Sequence, residues 1–166
     1  FSAFVKAEDK RLNQGQSEMS SWGSVVTAQI FARMEQGDKA LYALSEMVRN
    51  CCAANLFTMG NDWRRMGSVM CEDFRIAPFQ TDAATGFAGA VNEMLLNSST
   101  GETKLFPALP KRWKKGSVTG LRAVGGCKLS LFWDGDTARA ELEDVKEGTV
   151  LSCGSGFGFP DGSNKM

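Results

Sequence analysis

The chain has 166 residues, enough for one domain or two small ones, and its 19 Lys and Arg balance 19 Asp and Glu. That zero net charge argues against a general nucleic-acid or anionic-membrane binder, and no apolar run approaches the roughly 20 residues of a membrane span. Histidine is absent and the five cysteines form no Cys-x-x-Cys pair, so His-based catalysis, a disulfide framework and a metal site are not expected, nor is a cofactor.

The first two-thirds of the chain read as helix. From Met19 to Met34 the apolar residues fall at Met19, Trp22, Val26, Ile30 and Met34, steps of three and four that make one stripe. Core packing is the expectation for that stripe, Trp22 included. Gly37 suits a helix C-cap and Asp38 the next N-cap, after which Leu41, Leu44, Val48 and Cys51 continue at helical spacing. The spacing predicts an antiparallel pair of helices over 16–36 and 38–53. Residues 54–77 read as a long irregular connection, with a short helical turn at Trp63-Arg64-Arg65-Met66. A loop of that length in a compact domain is usually functional or disordered. A third helix is predicted over 84–97. It is rich in Ala and Gly, and each Gly costs up to about 1 kcal/mol against Ala. Close approach by another backbone or a ligand is the expected compensation.

The last third reads as strand. Lys104 to Pro110 is extended, because Pro disfavours helix at and before itself. Cys127, Leu129, Leu131 and Trp133 alternate with Lys128, Ser130 and Phe132, Asp134-Gly135 signals a hairpin turn, and Ala138, Ala140 and Leu142 alternate in turn. Further strands are expected over 117–124 and 148–153. The start at Phe1 and the polar run to Met166 suggest a piece of a longer protein.

Three residues stand out as site candidates. Asp82 follows Pro78-Phe79-Gln80-Thr81 and leads into the small-residue helix. One reading makes it an N-cap, accepting hydrogen bonds from the first free amides. The other makes it a general base facing a cleft, where the helix N-terminus favours its negative charge. Gln80, two residues earlier, points to the same side if the segment is extended, and suits a sugar hydroxyl. Trp63, in the irregular stretch, is a candidate sugar-stacking ring. The basic cluster Lys111-Arg112-Trp113-Lys114-Lys115 reads as a solvated loop. Gly154-Ser155-Gly156-Phe157-Gly158 lacks the following helix that a phosphate loop requires.

The residues also carry a resemblance. In order come Ser21-Trp22, Phe31-Ala32-Arg33-Met34, Gly37-Asp38-Lys39-Ala40, Asn55-Leu56-Phe57, Pro78-Phe79-Gln80-Thr81-Asp82, Asn92-Glu93-Met94-Leu95-Leu96, Leu105-Phe106-Pro107-Ala108-Leu109-Pro110-Lys111-Arg112-Trp113 and Gly116-Ser117-Val118-Thr119-Gly120-Leu121-Arg122. This series resembles the C-terminal part of glycoside hydrolase family 95, over roughly residues 20–145. The resemblance implies a mixed fold: the C-terminal helices of an (α/α)6 barrel (1–102), then an antiparallel β-domain (103–166).

It also implies an inverting exo-α-L-fucosidase-like hydrolase, or an α-L-galactosidase, in which Asp82 activates the attacking water. A Glu upstream of these residues protonates the leaving oxygen. The implied partners are a fucosylated oligosaccharide or polysaccharide and the remainder of the parent chain, which is compatible with a secreted or periplasmic setting. Two positions depart from the family pattern. Ile76 stands where many members carry His, and Ala84 where many carry Asn. They leave open a non-catalytic carbohydrate-binding relative. Residues 58–75 also look longer than the usual connection. A third reading makes residues 103–166 an independent protein-binding β-domain.

Overall fold

The computed structural model describes residues 2–13, 19–62, 64, 77–99 and 102–154. Among them the order is α1 (Ser2–Asn13), α2 (Ser21–Arg33), α3 (Gly37–Cys51), α4 (Thr81–Leu95), β1 (Leu96–Ser99), β2 (Glu102–Leu105), β3 (Lys115–Arg122), β4 (Lys128–Asp134), β5 (Thr137–Glu143) and β6 (Val150–Cys153). A helical part is thus followed by a β part. No helix among the described residues is long and apolar enough to cross a membrane.

The helical part differs from the sequence reading in which faces are buried. α2 lies against both α3 and α4. Its fully covered residues are Ser21, Ser24, Val25, Thr27, Ala28, Phe31 and Ala32, not the predicted stripe. Met19 and Met34 are buried, but Trp22 is 40% exposed and Val26 and Ile30 are only half-buried. The reason is steric: small residues on the inner face let two helices approach α2 closely. α4 meets this approach with Gly86, where a Cβ would come within 2.6 Å of Val25 Cγ1 and 3.2 Å of the Trp22 ring. The small residues of α4 therefore serve, at this position, contact with side chains of α2.

Two helix boundaries also shift. Gly37 is the first residue of α3 rather than a C-cap, and the preceding turn is made by Glu35 in the left-handed region, φ 61°. The helix predicted over 84–97 runs from Thr81 to Leu95, and Leu96–Ser99 pairs as a strand with β2. The helix α1 has no counterpart in the sequence reading. Phe4 on it is exposed, and it is attached through Leu12 on the helical core and an Asp9–Lys39 ion pair.

The β part consists of two three-stranded sheets, β1-β2-β6 and β3-β4-β5. The predicted hairpin is present: β4 and β5 pair from Lys128↔Glu143 to Asp134↔Thr137, with Gly135 at φ 59° in the turn. Leu129, Leu131 and Trp133 face the interior, as their alternation requires. The expectation of a wholly antiparallel β part fails at β6, which runs parallel to β2. No hairpin feeds β6; the chain reaches it by crossing from the other sheet.

A strap, Phe106 to Trp113, joins the two parts. Trp113 packs on both hydrophobic cores. The Phe106 N–H donates to Leu95 C=O (2.8 Å) and the Ala108 N–H to Met94 C=O (3.1 Å), so the strap is tied to the end of α4. Asp38 Oδ1 accepts from the Lys111 N–H (2.9 Å); its carboxylate holds the strap rather than its own helix. Two glycines grip this segment. A Cβ on Gly37 would stand 2.7 Å from the Ala108 carbonyl carbon, and one on Gly154 would stand 2.7 Å from Pro107 Cα. Lys111, Arg112, Lys114 and Lys115 are exposed, in line with a solvated basic loop.

The Gly37 contact sets a sign. Gly to Ala in a helix normally stabilises by up to about 1 kcal/mol, but here both sides of the clash are backbone. Gly37→Ala should destabilise the chain by about 1–3 kcal/mol in urea unfolding. The cysteines give a second expectation. Cys51 and Cys127 are buried and Cys52 and Cys153 half-buried. Burial raises the Cys52, Cys153 and Cys127 thiols above their ordinary range, and Asp144 adds to the rise at Cys127. Less thiolate at neutral pH means slow alkylation of the folded chain at these positions, quickening as pH rises. Site-resolved mass spectrometry after iodoacetamide treatment checks this.

Candidate functional site

The segment that carries Gln80 and Asp82 is placed by a short backbone ladder. Thr58 bridges Cys52 and Met59 bridges Phe79, both antiparallel. The Gly60 N–H donates to Pro78 C=O (2.7 Å) and the Gln80 N–H to Thr58 C=O (3.0 Å). Thr58 Oγ1 donates to Gln80 C=O at 2.8 Å. On the other side the Ser21 N–H donates to Gly60 C=O at 2.9 Å. Ser20 supplies the N-cap of α2, its Oγ accepting from the Gly23 N–H at 3.0 Å. The first turns of α2 and α4 are therefore fastened to one another through residues 58–60.

One side-chain bond completes the fastening. Ser21 is fully buried, and its Oγ donates to Gln80 Oε1 at 2.6 Å. Gln80 is the N-cap residue of α4 but makes no side-chain cap, because its carboxamide is turned onto Ser21. Gln80 therefore has a structural partner for its oxygen, and that partner lies 59 positions away in sequence.

Asp82 sits in the first turn of α4, one residue inside the helix, so it is not the N-cap. Its side chain is exposed, and its Oδ1 accepts from the adjacent Ala83 N–H at 3.0 Å. The expectation that Gln80 and Asp82 project to one side also fails. It assumed an extended segment, whereas the helix begins at Thr81 and rotates Asp82 away from Gln80. What remains is an accessible carboxylate at a helix N-terminus, where the peptide dipoles favour negative charge. Ala84, exposed two residues further along, adds no polar group. Trp63 and Ile76 lie outside the described residues. No cluster of metal-ligating side chains exists among the described residues.

The sequence reading missed two features. Phe57 and Phe79 stack with centroids 4.1 Å apart and planes at 26°. Both rings are exposed, at 45% and 54%, on the side of the ladder where Phe79 follows Pro78. The apolar residues of Asn55-Leu56-Phe57 and Pro78-Phe79 were visible, but their pairing depends on a bridge that periodicity does not register. The second is Asp62, fully buried, which accepts from the Arg64 N–H and Nε, each at 2.9 Å. Arg64 Nη2 then donates to Arg49 C=O (2.7 Å) in the last turn of α3. A cation there answers the open carbonyls of the helix end.

Residues 2–95 match the glycosyl hydrolase family 95 catalytic domain, and residues 97–153 match the C-terminal domain of glycoside hydrolase family 95. The chain belongs to glycoside hydrolase family 95. The two family 95 matches meet where α4 gives way to β1. Among similar proteins, α-L-fucosidase 2 of Arabidopsis thaliana is 34% identical over 131 residues, covering 78% of this chain and 15% of the relative. Probable α-fucosidase A of Aspergillus niger is 32% identical over 162 residues, covering 82% and 19%. Its counterpart in Aspergillus oryzae is 32% identical over 152 residues, covering 80% and 20%. The chain thus spans no more than a fifth of the length of these relatives.

The Ser21–Gln80 bond should be measurable. Ser21→Ala leaves the carboxamide oxygen of half-buried Gln80 without its donor and should cost about 1 kcal/mol in urea unfolding. Asp82→Ala, at an exposed position with only a local bond, should stay within about 0.5 kcal/mol of the original.

Proposed function

We propose that the chain is the C-terminal part of an inverting, exo-acting α-L-fucosidase-like glycosidase in which Asp82 is the general base. The observation that carries this reading is an exposed carboxylate on the second residue of a helix whose start is fixed from two directions. In the reaction, a water held by Asp82 attacks the anomeric carbon and its proton passes to that carboxylate. A carboxylic acid on another part of the protein protonates the leaving oxygen. Inversion needs the two groups about 6.5–9.5 Å apart, so that a water fits between sugar and base. The names of the similar proteins support a terminal α-linked fucose as the substrate.

The helical part closes an (α/α)6 barrel in this reading, and the strands open its C-terminal β-domain. The partly uncovered face of α2, with Trp22, Val26 and Ile30, supports a further barrel helix packed against it. The remainder of the parent chain supplies that helix and the proton donor.

Ala84 and Ile76, in place of the polar groups expected near the sugar, favour a second reading. In it the protein binds glycans without hydrolysing them, or accepts α-L-galactosides instead. Asp82→Asn in the full-length protein separates the readings. The hydrolase account expects turnover of an α-1,2-fucoside to fall at least about a hundredfold while the fold is retained. Unchanged hydrolysis removes Asp82 from the mechanism. An original protein that releases no sugar from α-fucosides or α-L-galactosides supports the binder.

A further inference from the structure

A concavity away from Asp82 opens where the helical and β parts meet. Its volume is about 480 Å³, and it is lined by Arg33, Asn92 and Glu93 of the helices and by Asn97, Leu121 and Arg122 of the strands. A smaller trough of about 180 Å³ continues from it and shares Arg33 and Asn97. Ligand sites form preferentially at such junctions between structural units.

The charges in the larger concavity are unequal. Arg33 and Glu93 neutralise each other in a two-pronged pair, Nε to Oε2 at 2.7 Å and Nη2 to Oε1 at 2.9 Å. Glu93 accordingly raises the Arg33 guanidinium above its ordinary range. The Arg122 guanidinium, by contrast, has no ion-pair or side-chain hydrogen-bond partner among the described residues. Among the described residues, then, one cation without an ion-pair partner lines the space, beside Asn92 and Asn97.

We propose that this junction groove binds an acidic saccharide, a uronic-acid residue whose carboxylate pairs with Arg122 and whose hydroxyls bond Asn92 and Asn97. A guanidinium matches a carboxylate through two parallel N–H···O bonds. A single uncompensated charge suits a monoanion better than a doubly charged phosphate. Leu121 and Val124 supply a small apolar patch for the C–H face of a sugar. No aromatic ring among the described residues lines the groove, so recognition rests on charge and hydrogen bonds rather than stacking. The choice of a saccharide rests on the glycosidase reading; the requirement for a carboxylate rests on Arg122 alone.

Calorimetry on the full-length protein tests this without turnover, so its failure leaves the Asp82 mechanism standing, and failure of Asp82→Asn leaves the groove standing. Trigalacturonic acid and its neutral methyl ester are the two probes. Asn97-Ser98-Ser99 fits the Asn-x-Ser/Thr pattern of N-glycosylation, so the protein should be produced in a bacterial host, where that asparagine stays unmodified. The acid should bind at least tenfold more tightly than the ester. Arg122→Gln, at an exposed strand position, should remove that preference without changing fucoside hydrolysis. Asn92→Asp, which adds a negative charge to the groove, should weaken binding of the acid but not of the ester. Equal affinity for acid and ester, no binding of the acid, or acid binding that survives Arg122→Gln would each overturn the proposal.

Discussion

The candidate site depends on the fastening between the starts of α2 and α4. A helix begins with free N–H groups and can be aimed in many directions by the loop before it. Here the loop before α4 is paired with residues 58–60, which are bonded to Ser21, while the Ser21 hydroxyl holds the Gln80 side chain. Asp82 extends from a start point with little freedom left. A general base has to be held in position relative to the bond it attacks, because small misplacements cost large factors in rate. The fastening supplies that rigidity from the chain's own residues. It also explains why Gln80 gives up a capping role: its carboxamide oxygen is committed elsewhere.

The second joint orders the two halves of the molecule. The strap from Phe106 to Trp113 turns on Phe106, a non-glycine residue at φ 49°, a conformation that persists only where its surroundings enforce it. The enforcement is visible. Phe106 is buried, meets Trp133 edge-on at 5.9 Å, and is bonded to the end of α4. Trp133 in turn donates its indole N–H to Trp113 C=O at 2.8 Å. Gly37 and Gly154 let backbone lie on backbone at either side. Helices and strands are thereby locked in register, and the polar junction groove is a consequence of that locking.

Much of this was legible in the sequence, for identifiable reasons. The β4–β5 hairpin combines a period-two pattern with an Asp-Gly turn, two local signals that agree. The order of motifs pointed to the family, because several spaced motifs constrain more than one. The buried face of α2 was misread, since hydrophobicity marks Trp22 and Ile30 but not Ser21, Ser24 or Ala28. Those small residues are inside because of what packs on them, which is a tertiary fact. The Asp82 position was off by a short step for the same kind of reason. The N-cap position falls to Gln80 because α4 begins at Thr81, and the Gln80 carboxamide that could have capped it is held by Ser21; no window of sequence contains both. α1 was not seen because, among the described residues, it meets the helical core through Leu12 and an Asp9–Lys39 ion pair and carries no apolar stripe. The parallel placement of β6 is likewise a matter of where the chain crosses between sheets.

The most direct measurement is a crystal structure of the full-length protein holding an intact, slowly cleaved α-L-fucoside. The account predicts an ordered water about 3 Å from the Asp82 carboxylate, poised on the face of the anomeric carbon opposite the leaving oxygen. The proton-donating carboxyl should lie about 6.5–9.5 Å from Asp82. A sugar bound with Asp82 facing bulk solvent, and another side chain holding that water, would contradict it.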